Sequence, residues 1–473
     1  MATTSAAPTI GTLPHKRPVF RWLRLIPPLE TYPAVLSFVQ TTTGKLVLLS
    51  VFGIGLRFAS PYWLPILLLL AVLTTFPQHR RILLSFGTVL WTFASSARRG
   101  PLGVIETAVV LTIAGLLFSA GTRFTESWFR RRPLVVLLGG FGVLTAVLGL
   151  LRARIPYQTE VWSLLILFGA YIGFIGYSLL DINSKTRDDF TRQLGTYRPF
   201  WGSTATPIPK GAAYLRRIEA KSPEQLGIAQ IKGVKLLAWA FILMIALRAF
   251  TWVVHGYFGV PAFDTVLEWN VKRVPFALSI AWLSLISAFF ERMLELSVWG
   301  HQIVAICRVA GFMAPRNTYR PLESRSIAEF WNRYFYYYKE LLVDFFFYPT
   351  FARYFKRWPR FRLFAATFAA AAIGNVILTF YSHQVVVVGE LGLWDTLRGF
   401  SVYIVYSILL AIGIGISQLR KAQPKPGWLR GKVVPAFCVL GFFCVLHVFD
   451  YVDRTYPIYE HLRLFAHLFK FVS

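Results

Sequence analysis

Apolar runs long enough to cross a hydrocarbon layer recur from one end of this chain to the other, and that recurrence excludes most folds. Inside lipid every backbone N–H and C=O has to be paired within the protein. The runs therefore read as helices, and the fold class predicted is all-α: a polytopic helical membrane protein. Hydrophobic residues make up 55% of the 473, with a mean hydropathy of +0.53, where soluble domains hold nearer 45–50%. Early segments fall at Leu46–Phe58, Tyr62–Phe76, Leu83–Ser95, Val104–Ala120, Leu134–Leu151 and Val161–Leu180. Several are short, and Pro61 and Pro65 interrupt the first pair, so tilted, re-entrant or buried segments are expected among them. Later runs fall at Val234–Val254, Phe276–Phe290, Leu296–Phe312, Leu363–Tyr381, Phe400–Ile416 and Val433–Phe449. Roughly ten to twelve membrane segments are expected, as one membrane-embedded domain over 31–473 behind an N-terminal segment 1–30.

The formal net charge of +28 would suggest nucleic acid in a soluble protein. Here the cations sit in short loops between apolar runs, which is the pattern of positive-inside topology and of contact with anionic lipid heads. Membrane lipids are the expected partner, and nucleic acid is not. His15, Lys16, Arg17, Arg21 and Arg24 place the N-terminus in the cytoplasm, and no secretory signal precedes them. The basic insert 181–232 and the patches Arg353–Arg362 and Leu419–Lys432 belong on the same side. Within the insert, Pro207-Ile208-Pro209-Lys210 followed by Tyr214-Leu215-Arg216-Arg217 reads as a turn into a short helix. The C-terminal YEHLRLFAHLFKFVS reads as an amphipathic interfacial helix. Cys307, Cys438 and Cys444 lack metal-ligand spacing, so no metal site is expected.

The stretch Gly311–Pro349 stands apart. A polar, Asn- and Pro-bearing lead-in reaches Phe330-Trp331, then a run of aromatic residues that encloses Lys339, Glu340 and Asp344. Ionisable groups among so many rings face either the protein interior or a wet cavity. An interfacial aromatic belt with snorkelling charges is the competing explanation.

The order Gly311-Phe312, Asn317, Pro321, Ser326-Ile327, Glu329, Phe330-Trp331, Arg333, Tyr334, Asp344 and Pro349 runs without a gap. It resembles the membrane-bound O-acyltransferase family, particularly its bacterial branch of alginate O-acetyltransferases and teichoic acid D-alanyl transferases. Further on, His383, Trp394 and Gly399 resemble the family's invariant histidine and the Trp and Gly behind it, while Thr206-Pro207-Ile208 with Lys210 is similar to an upstream Gly-Pro-Ile-basic element. Two departures are plain: Phe335 stands where the family often has a first His, and Ser382-His383-Gln384 replaces Trp-His-Gly.

The resemblance implies an O-acyltransferase of the bacterial inner membrane. It would move an acetyl or other short acyl group from a cytoplasmic thioester, acyl-CoA or acyl carrier protein, with no bound cofactor. The acceptor would be a hydroxyl of an extracytoplasmic polysaccharide, reached directly or through a partner acyl-relay protein. A lipid acceptor and a catalytically degenerate scaffold or transporter subunit are the alternatives. His383 is the base implied, because a neutral imidazole strips a hydroxyl proton near working pH. His301 is the second choice, and His447, His461 and His467 read as structural or interfacial. Ser382, Gln384 and Asn375 are candidate oxyanion donors or acceptor-binding groups. Trp331 and the rings from Tyr334 to Tyr338 would line a passage for the thioester, and Arg333 would meet its phosphates. Asn317 completes the motif, and Asp344 is expected to partner Arg333 or Lys339. About 1.5 Å of rise per residue from Arg362 carries His383 to the far side of the bilayer, unless the helix breaks earlier around a cavity.

Overall fold

The computed structural model describes residues 25–154, 157–184, 188–202, 205–420, 427–450 and 456–470. The basic N-terminal residues His15 to Arg24 and part of the 419–432 loop lie outside the described residues. The protein is all-α; among the described residues the one extended contact is an isolated antiparallel bridge between Glu219 and Phe312. Among the described residues, eight helices are long and apolar enough to cross a membrane: Thr42–Ala59, Gly100–Arg123, Pro133–Leu150, Gln158–Asp181, Pro223–Tyr257, Pro359–Leu391, Leu393–Leu419 and Leu429–Phe449. A ninth is a pair, Trp63–Thr75 and Pro77–Ala97, bent by 105°. The bend sits at Pro77, where the missing N–H and the ring end the first arm. Pro65, by contrast, lies in the first turn of its helix and is tolerated there. Counting both arms, together with the 32-residue helix Leu278–Val309, brings the number into the expected range. That long helix carries Glu291, Arg292 and Glu295 at its middle, so it is less apolar than the others.

Two thirds (67%) of the apolar stretch of Gln158–Asp181 is buried in protein, against 11% for Pro223–Tyr257. The first is a central helix and the second an outer one, so side chains of the first can line an internal site. The C-terminal helix Ile458–Leu468 docks one face on protein and leaves Tyr459 and Leu462 exposed. Leu464 and Leu468 are buried, and Glu460 takes Arg273 at 2.9 and 3.1 Å and Asn270 at 3.1 Å.

The Gly311–Pro349 stretch is fastened at several points. Arg80 is buried and donates to the carbonyls of Ala220 (3.1 Å) and Gly311 (3.4 Å), with Glu219 at 3.6 Å. Gly311 has φ +97, and a Cβ there would stand 2.6 Å from the Arg80 guanidinium carbon, so only glycine fits. Downstream, Ser326 Oγ accepts the Glu329 N–H at 3.0 Å and Glu329 Oε2 accepts the Arg325 N–H at 2.8 Å. This capping arrangement starts the helix Ile327–Tyr334. The Ser and the acid of the motif thus have a purely structural explanation.

Candidate functional site

The insert and the aromatic stretch meet over the end of the central helix. Ile208 is fully buried and its carbonyl accepts the Trp201 indole N–H at 2.6 Å, which fixes the turn that presents Lys210. The Lys210 ammonium lies 2.6 Å from Glu340 Oε2 and 2.8 Å from Asp344 Oδ2. Tyr177, on the central helix, donates to the same Asp344 oxygen at 2.9 Å, and Lys339 pairs with Glu340. Asp344 therefore partners Lys210 and Tyr177, not Arg333 or Lys339 as expected; the helix turns it toward the insert, away from both. Its local π-turn, Val343–Phe347, packs against a second π-turn, Ala369–Gly374.

Burial lowers the Lys210 pKa, but Asp344 and Glu340 outweigh it and the value lies above the ordinary 10.5. Burial likewise lifts both carboxyls. In Asp344 burial prevails over Lys210, so its pKa is raised; in Glu340 the two lysines prevail, so it is lowered. One cation shared by two acids cannot satisfy both equally.

Lys210, Asp344 and Tyr177 of this cluster form the floor of a cleft of about 570 Å³. The central helix supplies Tyr177, Leu180 and Asp181, the turn after it supplies Ser184, and the insert supplies Lys210, Tyr214, Arg216, Arg217 and Lys221 among others. Asp181 Oδ2 accepts the Ala213 N–H at 2.8 Å and the Gln193 amide at 3.3 Å, which holds the short helix Ala212–Ile218 against the floor. That helix carries Arg216 and Arg217 to the exposed rim, where Lys221 joins them. Four cations against two carboxylates line the cleft, so its field favours an anionic ligand. Tyr177 and Asp181 were missed by sequence reasoning. The available signal was a carboxylate at the end of an apolar run, just before the basic insert.

The remaining candidates lie elsewhere. Asn317 is fully buried, and its Oδ1 accepts the Tyr337 N–H at 3.2 Å while its carbonyl accepts the Tyr336 N–H at 2.9 Å. It caps the helix that begins at Tyr336, serving donors that have no partner inside the helix. Arg333 pairs with Glu329 at 2.5 Å and donates to the Arg320 carbonyl at 3.3 Å; it does not line the cleft. Phe335 stacks on Tyr338 at 5.4 Å and meets the edge of Trp299 at 5.9 Å, a wholly apolar use of that position. Asn375 is buried: its Oδ1 accepts from Tyr338 (2.7 Å) and Tyr403 (3.1 Å), and its Nδ2 donates to Ser407 at 3.2 Å. Thr379 adds contacts of 3.1 Å to the same two tyrosines.

His383 and Ser382 sit one turn further on, in a third π-turn, Phe380–Gln384. The helix continues unbroken to Leu391, His383 is exposed on its surface, and neither it nor Ser382 lines the cleft. His301 is buried with Nδ1 2.7 Å from the Ser297 carbonyl of its own helix. Trp331 and Tyr334 face a different, much smaller pocket, with Phe289, Arg292, Tyr406, Phe443, His447 and Asp450. Of the Tyr334–Tyr338 rings, Tyr337 is fully enclosed, its hydroxyl given to the Pro315 carbonyl at 3.1 Å. Among the described residues no group of His, Cys, Asp and Glu is arranged to hold a metal ion.

Compared with models of protein families and with curated proteins, the chain matches none of either.

Proposed function

We propose that the protein is a membrane O-acyltransferase. In this reading a short acyl group passes from a cytoplasmic thioester donor to a hydroxyl of an extracytoplasmic polysaccharide, or to a partner protein that relays it. The observation that carries the reading is the Lys210–Asp344 contact. These two residues belong to separate elements of the family resemblance, far apart in the chain, and they meet on the floor of one cationic cleft. The cleft opens among residues of the basic insert, the side on which a soluble thioester would arrive. Arg216, Arg217 and Lys221 suit the phosphates of a pantetheine-bearing donor, because guanidinium and ammonium groups bind phosphate through charge-assisted hydrogen bonds. The resemblance assigns the base to His383.

The test uses the full chain in proteoliposomes with acetyl-CoA and a glucan oligosaccharide. Thiol release that depends on the oligosaccharide is expected. Charge reversal of Arg216 and Arg217 together is expected to raise KM for acetyl-CoA while kcat is retained. A silent wild-type protein, with surface glycan unchanged in a deletion strain, refutes the reading. The alternative of a degenerate scaffold draws on Phe335 packed as a plain ring and on the exposure of His383. A lipid acceptor is separated from a glycan by comparing the lipid profile of the same deletion strain.

A further inference from the structure

Away from the cleft, two long helices meet at a corner rich in cations. Gly233 of Pro223–Tyr257 faces the end of Leu278–Val309, where a Cβ on it would stand 2.7 Å from a Val309 methyl. Gln230, less than one turn earlier, donates to the Val309 carbonyl at 3.3 Å. This contact brings Lys232 to the neighbourhood of Arg308, and Arg316 follows on the loop that leaves the second helix. The charges of Lys235, Arg308 and Arg316 all act on Lys232. Arg308 Nε donates to the Ala314 carbonyl at 2.8 Å, which fixes that guanidinium, and the Arg316 guanidinium lies 5.8 Å from the centre of the Tyr319 ring. Lys232, Arg308 and Arg316 are each half-buried.

The corner is short of negative charge. Glu30 is taken by Lys235 at 2.7 Å, and Glu323 by Arg320 at 3.2 Å. Among the described residues no carboxylate lies within ion-pair distance of Lys232, Arg308 or Arg316. Half-buried cations that repel one another oppose folding unless an anion joins them. Their depth says where that anion comes from. The apolar run from Val234 to Val254 rises roughly 31 Å, a full hydrocarbon layer, so Lys232 stands at headgroup level on the side of the basic insert. This is the outer helix, with most of its apolar stretch outside the protein core. Met313, Tyr319 and Leu322, on the loop that carries Arg316, are exposed as well. A soluble anion would leave those side chains in water, whereas the chains of a lipid cover them.

We propose that Lys232, Arg308 and Arg316 hold the phosphate of an anionic phospholipid from the leaflet on the side of the basic insert, with its acyl chains against Met313, Tyr319 and the outer helix. Ammonium and guanidinium groups bind phosphate through charge-assisted hydrogen bonds. A zwitterionic lipid presents the same phosphate beside a cation of its own, which the cluster repels. The site stands independently of acyl transfer, since neither the cleft nor His383 takes part in it.

The experiment titrates the full chain in detergent micelles with dioleoylphosphatidylglycerol, and separately with dioleoylphosphatidylcholine, and reads bound lipid by native mass spectrometry. Phosphatidylglycerol is expected to bind about 5-fold tighter or more. Lys232 bonds to no described residue, so Lys232→Gln reads the site without loosening the fold. It is expected to weaken phosphatidylglycerol about 5-fold, and together with Arg316→Gln about 30-fold, while phosphatidylcholine is unaffected. The charge-keeping pair, Lys232→Arg with Arg316→Lys, is expected to retain binding. Neutralising Lys356 and Arg357, in another basic patch, should leave the affinity unchanged. Equal binding of the two lipids, an unaltered affinity in Lys232→Gln, or an equal loss in the Lys356 and Arg357 control overturns the proposal. Displacement of the lipid by an equal concentration of inorganic phosphate, the mark of a soluble-anion site, overturns it too.

Discussion

Removing the Lys210 cation is the sharpest perturbation of the cleft floor. Its ammonium is 2.6 and 2.8 Å from Glu340 and Asp344, and the three side chains are 12, 15 and 19% exposed. At an effective dielectric of about 20, unit charges roughly 2.8 Å apart attract by about 6 kcal/mol before desolvation is counted. Desolvation offsets much of this while the cluster is intact. Lys210→Met leaves Asp344 with no cation and Glu340 with Lys339 alone, and breaking a buried pair from one side costs about 3–5 kcal/mol. Asp344→Asn is milder, because the amide oxygen still accepts from Tyr177 and Lys210 keeps Glu340; about 1–2 kcal/mol is expected. In the Asp344→Asn background only Glu340 is left behind by Lys210→Met, and Lys339 still pairs with it. The second substitution should then cost about half as much, a coupling of roughly 2 kcal/mol. Unfolding of the four proteins of this cycle by SDS titration in mixed micelles measures the coupling directly. Equal costs for Lys210→Met in both backgrounds would show that the contact carries no interaction energy and would refute the reasoning.

Acidification should protonate Asp344 before Glu340. The Asp344 pKa is raised above 3.8, so its burial opposes folding at neutral pH and is relieved as pH falls through that raised value. The Glu340 pKa is depressed below 4.5, so its stabilisation is present above about pH 4.5 and is lost only as pH falls through the lower folded value. Infrared difference spectra of the carboxylic C=O stretch should therefore lose their first band in Asp344→Asn; a first band that persists contradicts the order. Gly311→Ala should destabilise by about 1–3 kcal/mol, since it forces a side chain into φ +97 against Arg80; fluorescence-detected gel filtration after heating reads the loss. Ser326→Ala should cost about 1 kcal/mol and raise amide exchange at Glu329, with Ser326→Asp restoring protection.

Helical class and most span positions were legible in the sequence, because transfer into hydrocarbon depends on local composition over about twenty residues. The Ser326–Glu329 cap was equally local. Lys210 and Asp344 could be singled out one at a time, as charges too costly to leave unexplained among rings and turns, but the sequence could not pair them. Asn317 looked chemical and instead caps a helix across a loop. Periodicity and composition report what a segment needs from its surroundings. Which distant segment supplies it is decided by how the helices cross and pack, and those angles are set by the whole set of side chains at once.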